Sequence, residues 1–165
     1  MDLSKLSPAD AAIALRGFER RYRGLFAGLG DDESPDDVSH RQVSGWAAID
    51  HVVASARAIA AADRALAVVL ASDDARVAPE DVGAAPRPHP GSPTGTLHER
   101  LAELGFEAVA LADRIDGVRA DDWRRTAAVS GTGRHVTALD VVRAAVDAGV
   151  SHLNAAQKVL AAVVG

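Results

Sequence analysis

The sequence predicts an all-α fold, an antiparallel bundle of four helices with one or two long connections. Four long segments carry the helical spacing of apolar residues, and three of them begin with a hydroxyl residue followed three positions later by an acid, the pattern of a capping box. Only 4% of the residues are aromatic and much of the 48% hydrophobic share is alanine, which favours closely packed helices. At 165 residues we expect a single domain over 1–165.

The first predicted helix covers residues 8–27. Ser7 is its expected cap, with Asp10 three positions later. Pro8 falls at the first helical position, where a missing N–H costs nothing because that group has no partner within a helix. The run ends at Gly28, and an acidic linker follows.

The second predicted helix covers residues 45–71, with Ser44 as its expected cap. Asp50, Arg57 and Arg64 recur every seven residues, so they are expected on one outer face of this helix. After it, the stretch 72–95 contains five of the seven prolines of the chain. This composition predicts a long irregular connection across the surface between the second and third helices.

The third and fourth predicted helices cover residues 97–115 and 138–163. A short hairpin near 124–136 is expected between them, with the residues SGTG as its turn. SGTG has no lysine after it and opens no phosphate-binding loop. The start signals of the two helices are capping pairs, Thr96 with Glu99 and Thr137 with Asp140.

Composition and charge exclude several classes of function. A net charge of −5 and a pI near 5.6 argue against a nucleic-acid binder. No apolar run reaches the length of a membrane span and the N-terminus lacks the features of a signal peptide. We therefore expect a cytoplasmic protein with neither nucleic-acid nor membrane partners. Because the chain has no cysteine, a metal would be held by His, Asp or Glu.

Two of the six histidines point toward the predicted core. At 100° per residue, His152 lies opposite the polar stripe of the fourth helix, beside Ala148. His51 lies at the rim of the apolar face of the second helix, on the side of Ser55. A histidine in such a position is either a core residue hydrogen-bonded to a neighbouring helix or a ligand.

Three segments carry a resemblance to a known family. The segment GWAAIDHVV, with Trp46 five residues before His51, is similar to the second helix of the DinB/YfiT-like superfamily. The segment VTALDVVRAAVDAGVSHLNAAQ resembles the last helix of that superfamily. The short DDW segment ending at Trp123 resembles both this superfamily and the related N-terminal domain of mycothiol-dependent maleylpyruvate isomerases. The likeness covers essentially the whole chain and implies the four-helix bundle of that type.

The resemblance implies a site for a divalent metal, zinc or nickel, held by one histidine of helix two and two ligands spaced by four on the last helix. His51 and His152 match the first and third ligands. Ala148 stands at the middle position and cannot ligate, and Ser151 stands where the family often has another histidine. The site is therefore expected to be incomplete and its affinity weak, unless His98 or His135 supplies the missing ligand.

Other residues have two interpretations each. Trp46 and Trp123 could line a ligand pocket, although large aromatics in an alanine-rich bundle usually fill space between helices. The cluster of Arg20, Arg21 and Arg23 could bind an anionic thiol cofactor, although charge runs are usually solvated helix faces. Three further histidines are expected to be solvated: His40, His89 and His98.

Two functions follow from the resemblance. The first is a divalent-metal-dependent transferase of a small thiol such as mycothiol or bacillithiol, in which the metal would lower the pKa of the thiol. The second is a non-catalytic descendant that binds a small molecule or dimerises and keeps two of the three metal ligands. Ala148 and Ser151 favour the second. A homodimer packed through helix faces is expected in either case.

Overall fold

The computed structural model describes residues 3–29, 34–82 and 94–164, and the fold in these ranges is predominantly helical, as predicted. Single 3-10 turns accompany the main elements. The α-helices are α1 (Pro8–Arg16), α2 (Phe18–Ala27), α3 (Pro35–His40), α4 (Ala48–Ala71), α5 (Leu97–Asp116) and α6 (Ala138–Val164). The strands are β1 (Gln42–Val43), β2 (Trp46–Ala47), β3 (Arg76–Val77), β4 (Thr126–Val129) and β5 (His135–Thr137).

The predicted first helix over 8–27 is divided at Gly17 into α1 and α2. The N–H of Gly17 is shared between the carbonyls of Ile13 and Ala14 at 3.2 and 3.1 Å, so the last turn of α1 tightens at this residue. The backbone of Gly17 remains near helical angles, at φ −85° and ψ −14°. The chain therefore continues directly into a second helix, and the interruption falls at a residue with a weak helix propensity.

The start of the second long helix differs from the prediction. Ser44 and Gly45 have φ values of 55° and 85° and form the turn of the β1–β2 hairpin, a geometry with two positive φ angles that suits a tight hairpin. Helix α4 therefore begins at Ala48 and not at residue 45. Asp50 caps it by accepting a 2.7 Å hydrogen bond from the N–H of Ala47.

Asp50 is 3% exposed, so the prediction that it lies on the outer face of this helix was wrong. The side chain of a residue in the first helical turn can bond the backbone that precedes the helix, as that of Asp50 does. A seven-residue spacing within the helix does not predict this contact. Arg57 and Arg64 are exposed, as expected from the same spacing.

The predicted hairpin over 124–136 is present as β4 and β5, and SGTG is its turn, with φ values of 72° at Gly131 and 68° at Gly133. A third strand extends it, because β3 pairs with β4 in parallel, Arg76 opposite Ala128 and Val77 opposite Val129. This small sheet connects the end of α4 to the start of α6 and adds Val77, Ala127, Val129 and Val136 to a hydrophobic core that the helices mainly build. The expectation of at most a hairpin was therefore too narrow.

Helices α4 and α6 form the most extensive helix pair, and they run antiparallel, since the end of α4 and the start of α6 meet at the small sheet. Helix α5 packs against α1 and α4. Small residues permit close approach; for example, a Cβ at Gly149 of α6 would lie 2.5 Å from Cζ of Phe18. The capping pairs predicted for α5 and α6 are formed. Among the described residues, no helix has the length and hydropathy required to cross a membrane.

Candidate functional site: a buried histidine pair

His51 lies in the first turn of α4 and is 8% exposed. The β1–β2 hairpin delivers Trp46 to the same place, with its ring centroid 6.4 Å from that of His51 and the planes tilted by 38°. The hairpin and the start of α4 therefore fix one side of the site. Trp46 is half-buried against it, which agrees with a wall of the site as well as with packing.

His152 lies on α6 and is 7% exposed. Its Nδ1 atom is 3.2 Å from Nδ1 of His51, and the two ring centroids are 5.5 Å apart with an interplanar angle of 40°. The two histidines are 101 positions apart in sequence. The structure therefore brings together between α4 and α6 the two histidines that the sequence directs toward the core.

The buried hydroxyls of Tyr22 and Ser55 form a pair that contacts the backbone at His51. The hydroxyl of Tyr22 lies 2.8 Å from Oγ of Ser55 and donates at 3.3 Å to the carbonyl of His51. Burial raises the pKa of Tyr22 far above its ordinary value, so this phenol stays neutral. The sequence places Ser55 on the His51 side of its helix. Tyr22 was missed because it stands within a run of arginines.

Both imidazoles are held in the neutral form. Burial lowers the pKa of His152 to about 4, and the neighbouring His51 acts in the same direction. Burial also lowers the pKa of His51, opposed in part by the carboxylate of Asp50. A group removed from water resists charge because the low-dielectric surroundings do not solvate an ion.

One nitrogen of the pair has no hydrogen-bond partner among the described residues. This atom is Nε2 of His152, and it is buried. Within the described ranges, Nε of Arg125 is the other buried side-chain nitrogen or oxygen in this condition. Since an unsatisfied buried polar atom costs about 1–3 kcal/mol, this atom marks a place where a small group would stabilise the protein.

The donor set fits a metal only in part. A zinc ion bound to two nitrogens at its usual distance places them about 3.3–3.4 Å apart in a tetrahedral site, close to the 3.2 Å between the two Nδ1 atoms. A catalytic zinc usually has three protein ligands. In the part of the chain that the structure describes, no group of three histidine or acidic side chains could hold a metal. Ala148 is buried at the expected middle position, and the residues present do not complete a site.

The other candidate ligands lie elsewhere. His98 is exposed at the start of α5, and His135 is exposed on β5. His40 is half-buried with its Nδ1 2.8 Å from the carbonyl of Asp36, so the expectation that it is solvated was wrong. The short helix α3 turns the ring back onto its own first turn. His89 lies outside the described residues.

Burial bears on two further interpretations. Arg20 and Arg21 are exposed, as is Arg23, which makes a 2.7 Å ion pair with Glu19. This exposure favours a solvated helix face, and Arg23 also lines the cavity described below. Trp123 is partly buried against the hydrophobic core, as expected of a space-filling residue.

A cavity of about 540 Å³ lies between the end of α2 and the starts of α3 and α5. This volume lies within the range of sites for small molecules. Phe26, one helical turn beyond Tyr22, is one of its walls, so the cavity and the histidine pair contact neighbouring turns of α2. Five apolar and five polar or charged residues line it: Arg23, Phe26, Ala27, Ser34, Pro35, Asp36, Thr96, Leu97, His98 and Leu101.

Comparison with family models, with curated proteins and with solved structures finds no match for this chain. The functional argument therefore rests on the geometry of the site.

Proposed function

We propose that this chain is a small-molecule binding protein built on a DinB/YfiT-like four-helix bundle, in which the metal site of that type is reduced to His51 and His152. The proposal takes α1 with α2 as the first helix of the bundle, and α4, α5 and α6 as the other three. The antiparallel pairing of α4 with α6 supports it.

The observation that carries the proposal is the buried pair itself. Two imidazoles with Nδ1 atoms 3.2 Å apart occupy the positions that the resemblance gives to the first and third metal ligands, and a methyl group stands at the second. In the described part of the chain, Nε2 of His152 has no hydrogen-bond partner. A buried polar atom that is left free within an apolar core is a typical contact point for a ligand.

A fragment screen monitored by protein NMR tests the proposal. The backbone amides of Gly149 and His152 report on the histidine pair, and those of Leu97 and Leu101 report on the cavity beside α2. We expect small neutral molecules with a hydroxyl or an amide N–H to shift the first group of amides, and His152→Phe to abolish these shifts. A screen in which ligands shift only the cavity residues would place binding elsewhere, and one without any hit would contradict the proposed function.

A metal-dependent thiol S-transferase is the second candidate, and the separation of the Nδ1 atoms favours it because it matches two ligands of one metal. Zinc or nickel would be the cofactor and a mycothiol- or bacillithiol-type thiol the cosubstrate. A conjugation assay with a small thiol and an electrophile, in added zinc or nickel, tests this activity. Activity that is lost in His51→Ala and His152→Ala would favour the transferase over the binding protein.

We further propose that the protein forms a homodimer through the face of α1 and α5. Ile13 and Phe106, on these two helices, are 70% and 72% exposed, and large apolar side chains left in water favour association. Sedimentation at tens of micromolar should show a dimer, and Phe106→Glu should yield monomer. Glu107→Gln, on the same helix, removes no apolar side chain and is the control. A parent protein that sediments only as a monomer would contradict the proposal.

A further inference from the structure

The contact between the two Nδ1 atoms restricts the protons of the pair. A neutral imidazole carries one N–H, on one of its two nitrogens. At 3.2 Å the two Nδ1 atoms form a hydrogen bond when one of them carries a proton and the other does not. The ring that donates from Nδ1 then has a bare Nε2, and the ring that accepts carries its proton on Nε2.

The surroundings of the two Nε2 atoms differ. Nε2 of His152 is buried without a partner, whereas Nε2 of His51 is not among the buried unpartnered atoms of the described residues. If His51 donated, the orphaned atom of His152 would be an N–H. If His152 donates, the unpartnered atom carries a lone pair instead. Among buried backbone groups an N–H without a partner is rarer than an under-satisfied acceptor, and we apply the same preference to the imidazole. The second arrangement is therefore favoured.

We propose that His51 is a positioning residue that holds His152 in the Nδ1–H tautomer, so that the bare Nε2 of His152 contacts a ligand that donates a hydrogen bond. The ligand class is a small neutral molecule with a hydroxyl or an amide N–H. This inference deepens the proposed function and rests on it for the identity of the ligand, whereas the tautomer belongs to the protein alone.

The same geometry explains why the pair is a poor chelate. A metal bound to both Nδ1 atoms would place a proton on both Nε2 atoms. Histidines that bind metals usually donate this second N–H to a carboxylate, a carbonyl or water. Nε2 of His152 has no such acceptor among the described residues. Chelation through Nδ1 would thus replace the hydrogen bond between the rings and leave a buried donor unsatisfied.

Long-range proton–nitrogen correlation NMR of protein labelled with ¹⁵N-histidine, free of ligand and with metal removed, reads the tautomers directly. At pH 7.5 we expect protonated Nδ1 and bare Nε2 at His152, and the reverse at His51. A protonated Nε2 at His152, or averaged shifts on both of its nitrogens, would overturn the proposal. These spectra need no substitution and no ligand, so they decide the tautomer even if the fragment screen fails.

Two variants separate positioning from a merely structural role. His51→Ala removes the acceptor, and His152 should change to the Nε2–H tautomer. His51→Asn supplies an amide oxygen in its place and should retain the Nδ1–H tautomer at least in part. Arg57→Ala, at an exposed position of the same helix, is the control and should leave the tautomer unchanged. Retention of the Nδ1–H tautomer in folded His51→Ala would contradict the positioning role.

Zinc added alone provides a further readout. The proposal predicts that weakly bound zinc shifts the Nε2 resonance of His152 and leaves the Nδ1–H of this ring in place. Loss of the Nδ1–H signal together with equal shifts of both Nδ1 nitrogens would show a chelate and overturn the proposal.

Discussion

Restoring a third ligand should convert the histidine pair into a tight metal site. Ala148 lies on α6 one helical turn before His152 and is 5% exposed, so a histidine placed there shares its helix face with His152 and approaches His51. The larger side chain enters a packed core, which costs about 1–3 kcal/mol in the absence of metal. We therefore expect Ala148→His without metal to be less stable than the parent.

Zinc should reverse this loss. A ligand at 100 times its dissociation constant stabilises the folded state by about 2.7 kcal/mol. For a domain of this size, 1 kcal/mol shifts the melting temperature by about 2–4 °C, so the gain should be about 5–11 °C. Part of the intrinsic zinc affinity is used to break the hydrogen bond between the rings, at about 0.5–1.5 kcal/mol.

The assay is thermal unfolding followed by circular dichroism, with zinc and with a chelator, for Ala148→His and its controls. Ala161→His adds an imidazole at an exposed position of the same helix and should show no comparable gain. His51→Ala in the Ala148→His background should remove the gain. If Ala148→His binds no more zinc than the parent, or if the gain persists without His51, the descent of the pair from a metal site is refuted.

Three further predictions follow from the structure. Because the pKa of His152 is lowered to about 4, the unfolded chain binds more protons than the folded protein between about pH 6.5 and 4. The free energy of unfolding should therefore fall by about 3 kcal/mol as the pH falls through this range. Urea unfolding of His152→Phe should lack this part of the pH dependence, and the same pH dependence in parent and variant would contradict the prediction. Tyr22→Phe should cost about 1–3 kcal/mol by leaving the buried hydroxyl of Ser55 without its partner, and equal urea midpoints for parent and variant would contradict this contact. Gly149→Ala should lower the free energy of unfolding by about 1–3 kcal/mol, since its Cβ would lie 2.5 Å from an aromatic ring. Gly24→Ala, whose Cβ would have nothing within 4 Å, should raise it by about 0.5–1 kcal/mol. A loss of stability in both variants would show that the space around the two glycines does not decide the effect.

The helix starts that depend on nearby residues were predictable from the sequence. Thr96 with Glu99 and Thr137 with Asp140 form their capping pairs within one turn, and the predicted bounds of these helices differ from the structure by one residue. Helical geometry also placed His152 in the core, because its position relative to the polar stripe depends only on the spacing within one helix.

The features that the sequence did not predict depend on backbone angles or on contacts between residues that are distant in sequence. Ser44 was read as a cap, but its positive φ assigns it to a hairpin turn, and a serine in a turn has the same local sequence signal as a serine at a helix start. The pairing of β3 with β4 joins residues 52 positions apart, Arg76 and Ala128, and the two residues of β3 are too few to show a periodicity. The contact of Tyr22 with Ser55 likewise requires the packing of two helices.

The central claim is that His51 and His152 form a pair that lacks a third protein ligand. The most direct test is elemental analysis of protein purified without a histidine tag and dialysed against metal-free buffer. We expect much less than one equivalent of zinc or nickel per chain, with an unchanged value in His51→Ala. One equivalent of metal that survives dialysis, and that is lost in His51→Ala, would contradict the account and establish a complete metal site.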